Sequence, residues 1–126
     1  MTRTIVSTTK APAAIGPYSQ GVATDTLLFI SGQLPIDPAT GTMIEGDTGT
    51  KTRRILENLT AIATAAGTSL DRALKTTVFL TDLGEFKAMN EAYGAFFAEA
   101  PPARSTVQVA ALPLGSNIEI ECILAR

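Results

Sequence analysis

The sequence predicts an α+β fold in which a mixed six-stranded sheet carries two helices on one face. Short runs rich in β-branched and aromatic residues alternate with turn residues, and two longer stretches repeat apolar residues at helical spacing. The strand–helix–strand crossover requires parallel pairing, whereas the hairpins require antiparallel pairing, so the sheet is expected to be mixed. With 126 residues, 45% of them hydrophobic, the chain is expected to form one domain, 1–126, around a single core.

The N-terminal part of the chain is predicted to contribute three strands. Thr4–Ser7 has the composition of a first strand. Tyr18–Ala23 and Leu27–Ser31 are predicted to form two strands joined by the tight turn Thr24–Thr26. Pro35–Gly46 is rich in Pro, Gly, Asp and Thr and is predicted to be a loop.

A first helix is predicted from about Thr50 to Ala66. The apolar residues Ile55, Leu59 and Ile62 recur at helical spacing within this stretch. Gly67 follows directly, in the position where a glycine commonly ends a helix.

A second helix is predicted between the buried strand Leu74–Leu80 and the two prolines at 101 and 102. Asp82 is in position to cap the N-terminus of this helix, with Glu85 three residues later as its capping-box partner. The apolar residues expected on this helix are Phe86, Met89, Tyr93, Phe96 and Phe97.

Two final strands, Ala103–Val109 and Ile118–Leu124, are predicted on either side of a turn at Gly115–Asn117. Two helices can cover only one face of a six-stranded sheet. The other face therefore needs cover from elsewhere, and a second copy of the chain is the expected source.

Composition excludes several classes of function. The chain has no histidine, which rules out Ser–His and Cys–His nucleophile systems and the usual zinc sites. Its net charge is −2 with no block of Lys and Arg, so neither nucleic acid nor an anionic membrane surface is an expected partner. No P-loop or dinucleotide fingerprint is present, and no cofactor or metal is implied.

Location is predicted from the same features. Cys122 is the only cysteine and cannot form an intramolecular disulfide, which fits a reducing compartment. No apolar run approaches the roughly 18 residues of a membrane span, and the first residues lack the apolar core of a signal peptide. A cytoplasmic location is therefore expected.

Charged residues interrupt two of the predicted strands near the C-terminus. Arg104 opens one strand, and two glutamates, Glu119 and Glu121, alternate with apolar residues in the next, so that both point to the same face. Burying such charges is costly unless they are paired or used on a ligand. Arg104 could form an ion pair with either glutamate, or it could grip a planar carboxylate through two parallel hydrogen bonds. The glutamates could line a wet pocket or interface, or simply be solvated.

Four further residues are candidates with ordinary alternatives. Tyr18 follows Gly-Pro at the start of a predicted strand and could be a half-buried aromatic or part of a pocket wall. Ser31 and Gly32 end a strand, where a glycine also lets a ligand approach the main chain closely. Asn90 on the second helix would otherwise be an ordinary surface residue.

Several sequence blocks together indicate a family. They are Ala11–Gly21, Phe29–Pro35, Lys75–Leu83, Asn90–Tyr93, Pro101–Val109 and Ile118–Glu121. In this order and spacing they resemble the reactive intermediate deaminase (Rid, YjgF-like) family, and the similarity covers nearly the whole chain. The resemblance implies a YjgF/chorismate-mutase-like fold and a homotrimer with pockets between subunits. It also implies hydrolysis of reactive enamines and imines, such as 2-aminoacrylate and 2-iminobutanoate, to 2-keto acids and ammonia.

The resemblance also implies roles for individual residues. Arg104 would bind the substrate carboxylate, and Glu119 would orient or activate the hydrolytic water. Tyr18, Ser31, Gly32, Asn90 and Thr106 would belong to the substrate pocket. Many relatives have cysteine where this chain has Thr106, so roles based on a thiol are in doubt here, whereas hydrolysis by water needs no thiol.

Two other functions remain open at this point. One is an endoribonuclease, a name that some relatives carry, although the acidic composition and the lack of histidine argue against it. The other is a non-catalytic protein, either a sensor that binds 2-keto acids or a chaperone-like holdase. Glu119 favours catalysis, because a carboxylate beside the site brings no advantage to a protein that only binds anions.

Overall fold

The computed structural model describes residues 2–126, so Met1 lies outside the described part. It contains one six-stranded sheet, a small two-stranded hairpin and two α-helices. The helices are α1 (Thr48–Ala65) and α2 (Phe86–Gly94). The strands are β1 (Thr4–Val6), β2 (Gly21–Ala23), β3 (Leu27–Gln33), β4 (Ile36–Asp37), β5 (Thr42–Met43), β6 (Ala73–Leu80), β7 (Ala103–Gln108) and β8 (Ile118–Ala125).

The predicted mixed sheet is confirmed. Its strand order is β1-β2-β3-β8-β6-β7, and only β6 and β7 pair in parallel, through a crossover that contains α2. The alternate residues Ile118, Ile120, Cys122 and Leu124 of β8 are buried, because this face of the central strand carries the helices. Both helices cover the same face, and the core lies between them and the sheet.

The first helix begins two residues earlier than predicted. Asp47 caps it, since its side chain accepts a hydrogen bond of 2.9 Å from the backbone N–H of Thr50. The predicted end is confirmed: Gly67 has φ +80°, and the N–H of Thr68 then bonds to the carbonyl of Ala63 at 3.1 Å. This is the left-handed termination that glycine favours.

The predicted capping box before α2 is wrong. Asp82 accepts a hydrogen bond of 2.8 Å from the N–H of Gly84 and so caps a short 3₁₀ turn, Leu83–Glu85, that precedes the helix. The Glu85 carboxylate turns away from Asp82 and accepts a bond of 2.5 Å from the hydroxyl of Thr48 at the start of α1. Glu85 therefore bonds to a residue distant in sequence and does not complete the capping box that the local pattern predicted.

The second helix is also shorter than the apolar pattern suggests. It ends at Gly94, so Phe96 and Phe97 lie in the turn that follows rather than on the helix. Phe97 is nevertheless buried and packs its ring against Tyr93, with 4.6 Å between the ring centroids. The aromatic residues predicted on one helix are therefore divided between the helix and the turn, and the predicted end of the helix, just before Pro101, is wrong.

The segment before β2 is a loop where a strand from Tyr18 was predicted. The buried side-chain amide of Gln20 donates to the carbonyls of Thr8 (3.0 Å) and Pro12 (2.8 Å), and its oxygen accepts from the N–H of Thr8 (2.7 Å). These bonds satisfy the backbone locally, so the segment has no need of a ladder partner. The predicted loop Pro35–Gly46 in turn contains the β4–β5 hairpin.

The sheet face opposite the helices, called the open face below, carries large apolar side chains. Ile5, Phe29 and Val107 lie on this face and are 51%, 44% and 41% exposed. These side chains would be removed from water if another molecule packed on the open face. Within residues 2–126 no helix is long and apolar enough to cross a membrane.

A buried amide ties α1 to the turn after β3. Asn58 is fully buried; its Nδ2 donates to the carbonyls of Leu34 (3.3 Å) and Ile36 (3.0 Å), and its Oδ1 accepts from Arg54 Nη2 (2.9 Å). The Asn58 side chain is itself fully buried and its three partners are partly buried, so losing these bonds would leave polar groups with fewer partners.

We therefore expect Asn58→Ala to lower the free energy of unfolding by about 1–3 kcal/mol, the usual penalty for orphaned buried polar groups. Urea denaturation followed by circular dichroism measures this. Glu57→Ala, an exposed neighbour on the same helix, is the matched control and should change stability by less than about 0.5 kcal/mol. Equal effects of the two variants would contradict the assignment.

Candidate functional site

A pocket of about 650 Å³ lies where the N-terminal loop, the end of β3 and the start of β8 meet. Four residues singled out from the sequence line it together: Tyr18, Ser31, Gly32 and Glu119. Most of the remaining wall is apolar and consists of Pro12, Ala13, Ile15, Leu34, Ile36, Pro113 and Leu114, with Gln33 and Glu121 as further polar members. An apolar cavity with a few convergent polar groups is the usual form of a small-molecule site.

The carboxylate of Glu119 lies directly against the main chain of Gly32. A Cβ atom on Gly32 would be 2.8 Å from Glu119 Cδ and 2.9 Å from Oε2, closer than real side chains approach. The pairing between β3 and β8 shifts between Ile30 and Gln33, so this close approach occurs at an irregularity in the strand. Gly32 thus leaves room for the Glu119 carboxylate in this position, and a larger residue here would displace the carboxylate.

The surroundings of Glu119 raise the pKa of its carboxyl group above the usual value. Partial burial is the main cause that raises the pKa of Glu119, and the negative charge of Glu121 on the same face adds to it. A carboxyl group with a raised pKa can take up and return a proton closer to neutral pH than an exposed one. The site therefore contains a group suited to moving protons in a chain that has no histidine.

Tyr18 and Ser31 hold the N-terminal loop against this pocket. The hydroxyl of Tyr18 accepts a bond of 3.3 Å from the N–H of Ile15, and the hydroxyl of Ser31 donates to the carbonyl of Ser19 at 2.6 Å. The hydroxyl proton of Ser31 is thereby committed to the loop, so toward a ligand this oxygen can act only as an acceptor. About half of the Tyr18 side chain is exposed at the pocket wall.

Arg104 lies elsewhere, on β7, among residues of α2. Its Nη1 donates to Asn90 Oδ1 at 2.8 Å. Its Cζ is 4.7 Å from the ring centroid of Tyr93 and 5.5 Å from that of Phe86, distances typical of cation–π contacts. We call these four residues the arginine cluster. Thr106, two positions along the same strand, points to the same face of β7 as Arg104.

Within one chain, Arg104 and Glu119 point to opposite faces of the sheet. Arg104 is paired with Thr76 of β6, whose side chain is buried on the helix side. Glu119 is paired with Phe79, three residues further along β6 and therefore on the open face. The ion pair considered from the sequence is wrong, because β6 separates the two strands and the side chains diverge. The predicted residues thus form two groups, one around Glu119 and one around Arg104.

Two other residues weighed from the sequence have clear positions. Cys122 is buried on the helix side, away from Glu119, and burial raises the pKa of its thiol to about 12. The thiol is therefore unreactive and belongs to the core, as expected. Glu121 is exposed on the open face but also contributes to the pocket wall beside Glu119.

Some residues of the two groups were not identified as site residues from the sequence. Phe86 and Tyr93 were predicted only as apolar residues of the second helix, yet both contact Arg104. The available signal was their spacing, since Phe86, Asn90 and Tyr93 recur at i, i+4 and i+7 and share one face of α2. Leu114, in the pocket wall, has φ +57°, a left-handed conformation that costs a non-glycine residue on the order of 1 kcal/mol.

No group of three or more Cys, Asp or Glu residues in the range 2–126 is arranged to hold a metal ion.

Comparison with known proteins gives consistent matches along almost the entire chain. The family described as Endoribonuclease L-PSP matches residues 8–126. The chain is 50% identical to protein DfrA of Myxococcus xanthus (98% of this chain, 95% of that protein). It is 48% identical to the mouse 2-iminobutanoate/2-iminopropanoate deaminase (98% and 92%). The crystal structure of E. coli TdcF with bound serine superposes with a TM-score of 0.93 at 48% identity, covering 98% of both chains.

We expect Glu121→Gln to lower the pKa of Glu119, because removing the negative neighbour makes ionisation of Glu119 easier. The value should remain above that of an exposed glutamate, since the larger cause, burial, is unchanged. Carboxyl ¹³C NMR titration of the labelled proteins measures the pKa of Glu119 in the wild type and in the variant. Glu91→Gln, an exposed site on α2, is the control and should leave the Glu119 titration where it was. An unchanged or raised pKa in Glu121→Gln would contradict the coupling.

Proposed function

The chain belongs to the Endoribonuclease L-PSP (YjgF/Rid) family, and we propose that within it the protein hydrolyses reactive imines and enamines of 2-keto acids. The substrate class is small 2-imino acids such as 2-iminobutanoate and the tautomer of 2-aminoacrylate, and the products are the 2-keto acid and ammonia. The role would be to remove reactive metabolites before they damage other enzymes. The name of the mouse relative supports this choice of reaction.

The observation that carries the proposal is the half-buried carboxyl group of Glu119, whose pKa is raised, in an apolar pocket. In the proposed reaction, water adds to C2 of the protonated imine while the Glu119 carboxylate accepts one of the water's protons. Glu119 then returns this proton to the amino nitrogen of the tetrahedral adduct. The C–N bond breaks, ammonia leaves, and the remaining hydroxyl group loses its proton to water to give the keto group. One carboxyl group can serve both transfers.

Arg104 is proposed to bind the carboxylate that all these substrates share. A guanidinium group offers five N–H donors in a plane, and Asn90 engages only one of its terminal nitrogens. The other edge can therefore form two parallel hydrogen bonds with a carboxylate, which fixes both the position and the orientation of the substrate. Thr106 offers a small polar side chain on the same face of β7.

Because Arg104 and Glu119 diverge within one chain, the complete site is proposed to form between two subunits. The arginine cluster would lie at the edge strand β7 of one subunit and face the Glu119 pocket of the next. A heterologous contact forms a ring when its rotation closes, and the proposed assembly is such a ring, a homotrimer. The exposed apolar residues of the open face support such an assembly, since they would be covered by neighbouring subunits.

Two alternative functions differ from this proposal in what they require. An endoribonuclease, the activity in the family's description, would need a surface that attracts RNA, but the chain has net charge −2 and no block of basic residues. A non-catalytic binder of 2-keto acids would use the carboxylate grip of Arg104 but would not need the proton transfers of Glu119. The variant below distinguishes this binder from an imine hydrolase.

Glu119→Gln should keep the shape of the side chain and remove its proton transfer, so we expect turnover to fall roughly 10²-fold or more. The assay couples an amino-acid oxidase or threonine dehydratase to the protein and measures how much faster free keto acid appears. Binding of 2-oxobutanoate, a stable product-like ligand, should be unchanged or tighter because a negative charge near an anion has been removed.

The controls separate the alternatives. Glu57→Gln, an exposed change on α1, should leave turnover and binding as in the wild type. Full activity of Glu119→Gln would mean that another group moves the proton. Wild-type protein that binds 2-oxobutanoate but does not accelerate hydrolysis would identify a non-catalytic binder, and RNA cleavage that is lost with Glu119 or Arg104 would support the endoribonuclease.

A site shared between subunits should also be restored by mixing two inactive variants. If Arg104→Ala and Glu119→Gln subunits are co-expressed in equal amounts and assemble at random, about a quarter of all sites in the population of rings should contain both intact residues. Activity should therefore recover to about a quarter of the wild-type value. Co-expression of Arg104→Ala with Arg104→Lys is the control and should restore nothing. Absence of recovery in rings shown by mass spectrometry to be mixed, or a monomer in light scattering, would refute the shared site.

A further inference from the structure

We propose that Tyr93 is a positioning residue whose ring face orients the Arg104 guanidinium for the substrate carboxylate. This inference rests on the proposed function of Arg104 and goes beyond it, because it concerns what holds the arginine in a productive orientation. Tyr93 does not line the Glu119 pocket, and the proposed chemistry makes no use of its hydroxyl.

Two kinds of contact hold the guanidinium group of Arg104, a hydrogen bond at one edge and aromatic rings against its face. The hydrogen bond from Nη1 to Asn90 Oδ1 at 2.8 Å fixes one edge of the guanidinium. A single bond of this kind still permits rotation about its own axis. The Tyr93 ring, with its centroid 4.7 Å from Cζ, restricts that rotation because the cation is attracted to the electron-rich face. The more distant Phe86 ring, at 5.5 Å, is a weaker second contact.

Tyr93 is itself held firmly, as a platform must be. It is 4% exposed, and its hydroxyl forms a buried hydrogen bond of 2.6 Å with Thr76 Oγ1. Its ring also packs against Phe97 at 4.6 Å between centroids. Thr76 is the residue paired with Arg104 across the β6–β7 ladder. The ring is therefore tied to the residue that pairs with Arg104, which restrains the position of the ring relative to β7.

The protonation state of Tyr93 is compatible with this role. Burial raises the pKa of Tyr93, and the hydrogen bond with Thr76 and the charge of Arg104 only partly oppose this effect. The ring is neutral across the physiological pH range, so it attracts Arg104 through its π-face and leaves the full positive charge available to an anionic ligand. A phenolate would instead compete with the substrate carboxylate for the arginine.

The alternative is that Tyr93 is an ordinary core residue that stabilises the fold without affecting Arg104. A core role depends on the shape and burial of the ring, whereas the proposed role depends on its electron density. Fluorination of the ring lowers the electron density of its face and changes its shape and burial little. The test therefore replaces Tyr93 by Phe and by fluorinated phenylalanines, each in a Thr76→Val background so that no buried hydroxyl is left without a partner.

We expect Tyr93→Phe with Thr76→Val to bind 2-oxobutanoate within about twofold of the wild type, because the ring face is retained. Trifluoro- and pentafluorophenylalanine at position 93 should weaken binding stepwise, by about fivefold to thirtyfold in total. In the imine assay, KM should rise in the same order, with kcat changing less, since binding of the carboxylate is affected more than proton transfer. Arg104→Lys serves as the reference, because it shows how much affinity for 2-oxobutanoate is lost when no guanidinium group is present.

A measurement on Arg104 itself keeps the inference separate from the proposed function. The Hε resonance of Arg104 should be shifted by the Tyr93 ring current, and rotation about its Nε–Cζ bond should be slow. Tyr93→Leu should remove the shift and speed the rotation. If the wild type fails to hydrolyse imines but these signals respond as expected, the positioning role stands and the proposed reaction falls. Signals and affinity that are indifferent to fluorination and to Tyr93→Leu would overturn the positioning role.

Discussion

The alternation of side chains along a β-strand is the constraint on which the rest of this structure depends. Because successive residues face opposite sides, the register of β6 with its two neighbours directs Arg104 to the helix side and Glu119 to the open face. The two residues therefore have different surroundings. Arg104 contacts aromatic residues of a helix, whereas Glu119 lies among loops and beside a strand irregularity. The same divergence is the reason why the proposed function, which uses both residues, was assigned to a site between two subunits.

Each half of the proposed site is held in place by contacts that leave its reactive edge free. On the glutamate side, the absence of a side chain at Gly32 lets the carboxylate of Glu119 lie against the backbone, and burial there raises its pKa. The hydroxyl of Ser31 donates a hydrogen bond to the carbonyl of Ser19 and so holds the loop that carries Tyr18 in place. On the arginine side, one nitrogen is engaged by Asn90, and the remaining donors stay available to a ligand.

The sequence pattern predicted the elements that depend on local chemistry. The helix ending at Gly67 and the strands rich in β-branched residues were predicted within a few residues, since φ preference and periodicity decide them locally. The errors arose where a side chain or a backbone group forms a hydrogen bond with a residue distant in sequence. Glu85 bonds to Thr48 instead of completing a capping box, and Gln20 satisfies the backbone of a segment that was predicted to be a strand.

The sequence by itself determined the fold class, the family and the identity of the polar residues that could carry chemistry, because composition, spacing and motif order are properties of the chain. Only the tertiary structure decided how these residues are grouped. β6 lies between β7 and β8 although it precedes both in the chain, and this order, which no local pattern encodes, separates Arg104 from Glu119. The contact of Tyr93 with Arg104 likewise depends on how α2 packs over the sheet, since packing between distant segments is set by the whole core.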